Sequence, residues 1–127
     1  MSGLVGFQYV VLRCVPRVER EEFVNVGVVV YAQMADFLRA ACHVDEDRLR
    51  ALAPDVDLDA LASALDAVES VCRGDDGAGR AGRVALGARF GFLAAPRSTV
   101  VQPSPIHGGV TTDPAAELQR LVSALVG

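Results

Sequence analysis

The chain contains no lysine and no tryptophan, and only 6% of its 127 residues are aromatic. It has three cysteines, Cys14, Cys42 and Cys72, an odd number with no C-x-x-C spacing. The disulfide framework of a small secreted domain takes an even and denser set, so the three read as small buried hydrophobes. No positively charged stretch leads into an apolar run at the N-terminus, so no signal peptide is expected. The longest nearly apolar run, residues 24–32, is far shorter than the ~20 residues a membrane helix needs. Together these absences predict a cytoplasmic protein with neither disulfides nor a membrane span.

What is present is 51% hydrophobic residues and a net charge of −4. That apolar fraction excludes a disordered chain, and the length fits one domain spanning residues 1–127. All 12 basic residues are arginine. Each positive charge is therefore a planar fork suited to fixed carboxylate or phosphate pairing.

Residues 7–15 (FQYVVLRCV) are rich in β-branched and aromatic side chains and read as a strand ended by Pro16. Residues 23–31 (FVNVGVVVY) alternate Val24, Val26, Val28 and Val30 against Phe23, Asn25, Gly27, Val29 and Tyr31, the pattern of a central strand. Gly27 there signals a bulge or a close backbone approach. Residues 37–44 form a third strand. Asp45 caps a short helix stopped by Pro54, and Asp57 caps a longer one over residues 58–73. The apolar stripe of the longer helix is Leu58, Leu61, Leu65, Val68 and Cys72. Residues 74–82 are expected to be a flexible glycine-rich loop, and residues 83–93 a short helix weakened by Gly87 and Gly91. Residues 98–102 read as a fourth strand and residues 103–112 as a loop with Gly108-Gly109. Asp113-Pro114 starts a last helix carrying Leu118, Leu121, Val122 and Leu125. The expected fold is α+β: a two-layer sandwich, mainly an antiparallel sheet of about four strands, with helices packed on one face.

No motif of catalysis stands out. Gly77, Gly79 and Gly82 match G-x-G-x-x-G, but a helix rather than a strand precedes them, so the dinucleotide reading fails. No Gly-rich stretch ends in G-K-[ST], which excludes a P-loop. Cys42 and His43 are adjacent on a strand and point to opposite faces, and no spacing resembles a zinc site, so no metal and no cofactor is expected. Ser98, Ser104 and His107 offer a Ser–His pair in name, without a nucleophile elbow.

Charge is distributed unevenly. Residues 45–76 hold ten acids and three arginines, net −7, while residues 77–112 hold four arginines and no acid, net +4. The favoured reading packs the positive segment against the acidic helices. The alternative reading lets Arg97, Ser98, Gln102, Ser104 and His107 present donors to an anion. Arg13 is a cation on an otherwise apolar strand face and needs a carboxylate partner. Glu22, across the hairpin, is the expected one; alternatively Arg13 and Asn25 share a pocket on the sheet surface.

The stretch YVVLRCVPRVEREEFVNVGVVVY, with Arg13, Pro16, Glu22, Phe23, Asn25, Gly27 and Val28 at its marked positions, resembles the bacterial domain-of-unknown-function family 3037. Phe90, Ser98, Gln102, His107, Gly109 and the Asp113-Pro114…Leu118 helix start resemble that family's C-terminal half. The resemblance brings no activity with it. It implies a partner or regulator of a HipA-like kinase, beside whose gene members of the family often lie.

Three functional expectations follow. The first is a non-enzymatic cytoplasmic binding or accessory protein that presents a sheet surface, or the segment around His107, to a protein partner. The second is a small anion-binding hydrolase using His107 as general acid or base, with Arg13 or Arg97 holding the anion. The third, weakened by overall acidity and the lack of lysine, is nucleic-acid binding. The candidate binding residues are Arg13, Glu22, Asn25, Arg97, Ser98, Gln102, Ser104 and His107. A homodimer is a further expectation, because strand edges are normally covered.

Overall fold

A computed structural model describes residues 3–74, 85–97 and 99–127. Among these residues, five strands, β1 (Val5–Cys14), β2 (Val24–Ala32), β3 (Phe37–Cys42), β4 (Val101–Pro103) and β5 (His107–Thr111), and four α-helices, α1 (Glu46–Leu52), α2 (Leu58–Arg73), α3 (Leu86–Ala94) and α4 (Pro114–Leu125), follow one another as β1-β2-β3-α1-α2-α3-β4-β5-α4. All strand pairings are antiparallel, in the order β3-β2-β1, with β4 and β5 both on the far side of β1. These last two lie end to end: β4 pairs with Leu12–Cys14 and β5 with Val5–Tyr9.

Alternation along β1 and β2 gives the sheet two buried faces. On the first, Val10, Leu12, Cys14, Val24, Val26 and Val29 pack against Leu49 of α1, Leu61, Leu65, Val68 and Val71 of α2, and Phe90 and Leu93 of α3. On the second, Phe7, Val28, Val30 and Ala32 pack against Leu118 and Leu121 of α4 and Val126. Each fully buried valine or leucine contributes roughly 1.5–3 kcal/mol. The α+β class and the antiparallel sheet are as expected. The sheet has five strands rather than about four, and its helices cover both faces rather than one. The physical reason is the valine row of β2, which the structure splits between the faces.

A bulge makes that split. Leu12 of β1 pairs with Gly27 and Arg13 with Asn25, so Val26 is an extra residue in β2. The extra residue resets the alternation. Val24 and Val26 join the first face, whereas Val28 and Val30 join the second. Gly27 sits at the reset, and a Cβ there would lie 2.9 Å from Cys42 Sγ, 3.1 Å from the Ala41 carbonyl oxygen and 3.2 Å from Leu12 Cδ1. Both signals read from Gly27, bulge and close approach, are present.

The helix starts are as read from sequence. The Asp45, Asp57 and Asp113 side chains accept from the backbone N–H of Arg48, Ala60 and Ala116 at 3.1, 3.0 and 3.2 Å, satisfying donors that the first turn leaves open. Gly74 ends α2 with φ of 74°, the left-handed conformation glycine adopts without cost. Gly74 apart, the expected flexible loop and its G-x-G-x-x-G lie outside the described residues. The expected loop over residues 103–112 is instead largely β5. Its Gly109 is opposite Phe7, whose ring atoms would lie 3.0–3.1 Å from an added Cβ. The aromatic ring therefore covers the glycine and keeps it in a strand.

Candidate functional site

Arg13 is the centre of a polar row across three strands. Its direct partners are Asn25 on β2 and Gln102 on β4. Directly opposed residues in an antiparallel sheet share a face, so all three belong to the second face. Phe23, just before β2, brings its ring under the Arg13 guanidinium, with 4.2 Å from Cζ to the ring centroid. Arg13, Val15, Val18, Glu21, Phe23 and Gln102 line a cleft of about 490 Å³. Two of its apolar walls, Val18 and Phe23, are each 44% exposed.

The Arg13–Glu22 ion pair expected from sequence is not formed. Glu22 pairs with Arg20 and lines a separate cavity of about 170 Å³ with Pro16, Arg17, Leu52, Ala53 and Pro54. The reason is parity: Phe23 and Asn25 share a side of the strand, which sends Glu22 to the other. Among the described residues no carboxylate comes within salt-bridge distance of Arg13, and its buried Nε has no hydrogen-bond partner. Stacking on Phe23 accounts for one flank of the guanidinium. Asn25 is committed elsewhere: its Nδ2 donates to the Leu125 carbonyl at 3.0 Å, closing the C-terminal end of α4. Its Oδ1 is buried and, among the described residues, accepts no hydrogen bond. Gln102 donates from Nε2 to the Thr99 carbonyl at 3.1 Å.

The remaining candidates are dispersed. Ser104 is 4% exposed and joins the two collinear strands. Its Oγ accepts from the Val11 N–H at 2.8 Å and donates to the Pro105 carbonyl at 2.8 Å, while its own N–H donates to the Val11 carbonyl at 2.8 Å. The hydroxyl thus replaces the backbone acceptor that the proline-flanked break between β4 and β5 removes. Arg97 donates to the carbonyls of Phe92 and Ala95 and stacks on the Phe92 ring, closing the end of α3. His107 is exposed and stacks on Tyr9 at 5.2 Å between centroids. It is opposite Tyr9, four positions along β1 from Arg13, roughly 13 Å at the rise of a strand. Ser98 lies outside the described residues.

Sequence reading marked Phe23 in the family resemblance but left it out of the candidate binding residues, and it missed Val18, which also shapes the cleft, and Arg89. Arg89 Nη1 donates to the carbonyls of Val71 and Cys72, both at 3.0 Å. Arg89 and Arg97 thus address the negative ends of helices rather than the side chains of the acidic block. The place of Phe23 in the cleft was findable: residues 23 and 25 share parity, so once Arg13 is paired with Asn25 on the neighbouring strand, Phe23 falls on the same face.

The thiols form a second polar neighbourhood. Burial pushes Cys42 up to about 12, with Glu69 adding to the effect, and burial likewise pushes Cys72 up to about 12. Burial also raises Cys14. All three cysteines are free and, at neutral pH, protonated and weakly nucleophilic. Among the described residues no group of three His, Cys, Asp or Glu side chains is placed to hold a metal ion, and no helix is long and apolar enough to cross a membrane.

Residues 9–126 match the model of a family described as "Protein of unknown function (DUF3037)", and the chain belongs to that family. No curated protein and no solved structure matches the chain.

Proposed function

We propose that this member of the DUF3037 family is a non-enzymatic accessory protein of the cytoplasm that binds a protein partner through the cleft around Arg13 and Phe23. One observation carries the reading: a half-buried guanidinium, stacked on an exposed aromatic ring, whose Nε is buried and unbonded and which has no carboxylate within salt-bridge distance among the described residues. A charge removed from water without a counter-charge is costly, and a partner's acidic side chain seated beside Phe23 would complete it. Glu21 on the rim matches a basic residue of the same partner, so the cleft suits a mixed-charge protein segment better than a free anion. Three free cysteines suit a reducing compartment. The family resemblance names the partner to try first, a HipA-like kinase encoded alongside.

The hydrolase alternative needs His107 and Arg13 in one pocket, and their spacing along β1 lends it no support. The nucleic-acid alternative gains nothing from Arg89 and Arg97, whose guanidinium groups are occupied by helix ends. The test is co-purification with the neighbouring kinase-like protein, using the parent chain, Arg13→Ala, Phe23→Ala and, as a control on the opposite sheet edge, Arg39→Ala. The proposal expects binding by parent and control and at least tenfold weaker binding by the two cleft variants, all with unchanged circular dichroism. Binding that ignores both cleft substitutions, or no binding by the parent, refutes it.

A further inference from the structure

Among the described residues the outer side of β5 is a bare strand edge. Among these residues β5 pairs with β1 alone, and His107, Gly108, Gly109 and Val110 are all exposed. Native edges are normally blunted by charges, prolines or covering elements. β5 has none of these within it; its sequence is HGGVT. The other edge of the sheet differs, since charged Arg39, Glu69 and Arg73 line the cleft along β3.

Which backbone groups are unpaired follows from register. The N–H and C=O of Val11 both face the β4–β5 side, bonding to Ser104. Period two then turns Val5, Phe7 and Tyr9 the same way. Their partners Thr111, Gly109 and His107 therefore direct their own groups inward, toward β1. Gly108 and Val110 direct theirs outward.

We infer that a second copy of this chain pairs through β5, antiparallel, about a two-fold axis at Gly109. The edge is complementary to itself in that register. Gly108 of one copy exchanges both backbone hydrogen bonds with Val110 of the other, and the symmetry repeats the exchange, which makes four bonds. The two Gly109 residues meet as a non-bonded pair, where strands approach closest; their Cβ-less Cα atoms leave that approach unobstructed. Val110, 65% exposed, covers the bare Cα of the partner's Gly108. His107 opposes Thr111, so no like charges meet. Ile106, 50% exposed, extends the apolar strip beside Val110. The result is one continuous sheet of two protomers.

The inference is independent of the Arg13 cleft, and its variants leave that cleft intact. Sedimentation equilibrium of the full chain over 10 µM to 1 mM measures assembly, and amide hydrogen exchange reads the register. The expected result is a monomer–dimer equilibrium. Protection at Gly108 and Val110 rises with concentration, while that at His107, Gly109 and Thr111 is present throughout. Val110→Lys places a charge on the edge and Val110→Pro removes the outward donor; each should weaken dimerisation at least tenfold with the monomer still folded by circular dichroism. A monomer at 1 mM, a dimer indifferent to both substitutions, or Gly108 and Val110 amides protected only when another protein is added each overturns the inference, the last by assigning the edge to a different strand.

Discussion

Ser104→Ala separates the role of a splice between strands from that of a reactive hydroxyl. In the parent, the Val11 N–H ends on Ser104 Oγ at 2.8 Å, and Val11 is only 8% exposed. Alanine removes the Oγ acceptor and leaves that donor buried and unbonded. An orphaned buried donor costs about 1–3 kcal/mol; we take about 2 kcal/mol. For a chain of this length the unfolding entropy near 60 °C is roughly 0.27 kcal/mol/K, so the melting temperature should fall by about 7 °C. The Ser104 N–H bond to the Val11 carbonyl survives, so β4 and β5 stay docked and the urea m-value should not change. Urea unfolding followed by circular dichroism gives the stability, and native-state hydrogen exchange gives the site, with the Val11 amide losing protection more than its neighbours on β1. A loss below about 0.5 kcal/mol, or a Val11 amide that exchanges as before, would show that the hydroxyl is not what closes the gap between β4 and β5.

Gly27→Ala should destabilise by about 1–3 kcal/mol, because its methyl meets Cys42 Sγ, the Ala41 carbonyl and the Leu12 side chain inside van der Waals distance. Adding Cys42→Ala should recover part of that loss in a double-mutant cycle of urea melts, since the sulfur is the nearest of the three; strict additivity would place the strain elsewhere. The Cys42 and Cys72 thiols, pushed up to about 12, should resist iodoacetamide at pH 8 in the native protein and react once it is unfolded, as read by mass spectrometry. Their linkage has one sign: the unfolded thiols ionise near their ordinary value while the folded ones stay protonated. Stability is therefore insensitive to these groups below about pH 8.5 and falls as pH rises from there toward 12. A stability that rises over that window would contradict the burial of both sulfurs.

Helix ends were legible in the sequence because they are local. Asp45, Asp57 and Asp113 each reach a donor three residues on, so the chain itself supplies both partners. Features that depend on a distant strand were not. The bulge at Val26 turns one valine row into two, and nothing within β2 reveals it; the shift exists only against Leu12 and Arg13. Gly108-Gly109 reads as a turn unless Phe7, a hundred residues earlier, is known to cover Gly109. At the candidate site, the importance of Arg13 was legible as a cation on an apolar face. Its neighbours depended on parity, which places Phe23 rather than Glu22 beside it. Asn25 and Ser104 looked like ligand groups, yet their polar atoms serve the C-terminal end of α4 and a gap between strands. Arg97 sits in an acid-free segment that looked fit for an anion, and it closes a helix.

The placement of β4 and β5 has a consequence for synthesis. β1 leaves the ribosome before the strands that flank it, and β2 and β3 follow within thirty residues to cover one side of it. The other side waits for residues 101–111. At about 5–20 residues per second, the ten-residue strand at the middle of the finished sheet is an open edge for roughly 5–20 s in every nascent chain. Throughout that interval the growing polypeptide presents Val10, Val11 and Leu12 beside unpaired backbone. A premature stop before residue 101 would make that interval permanent, leaving a product prone to associate through β1 rather than a smaller version of the same domain.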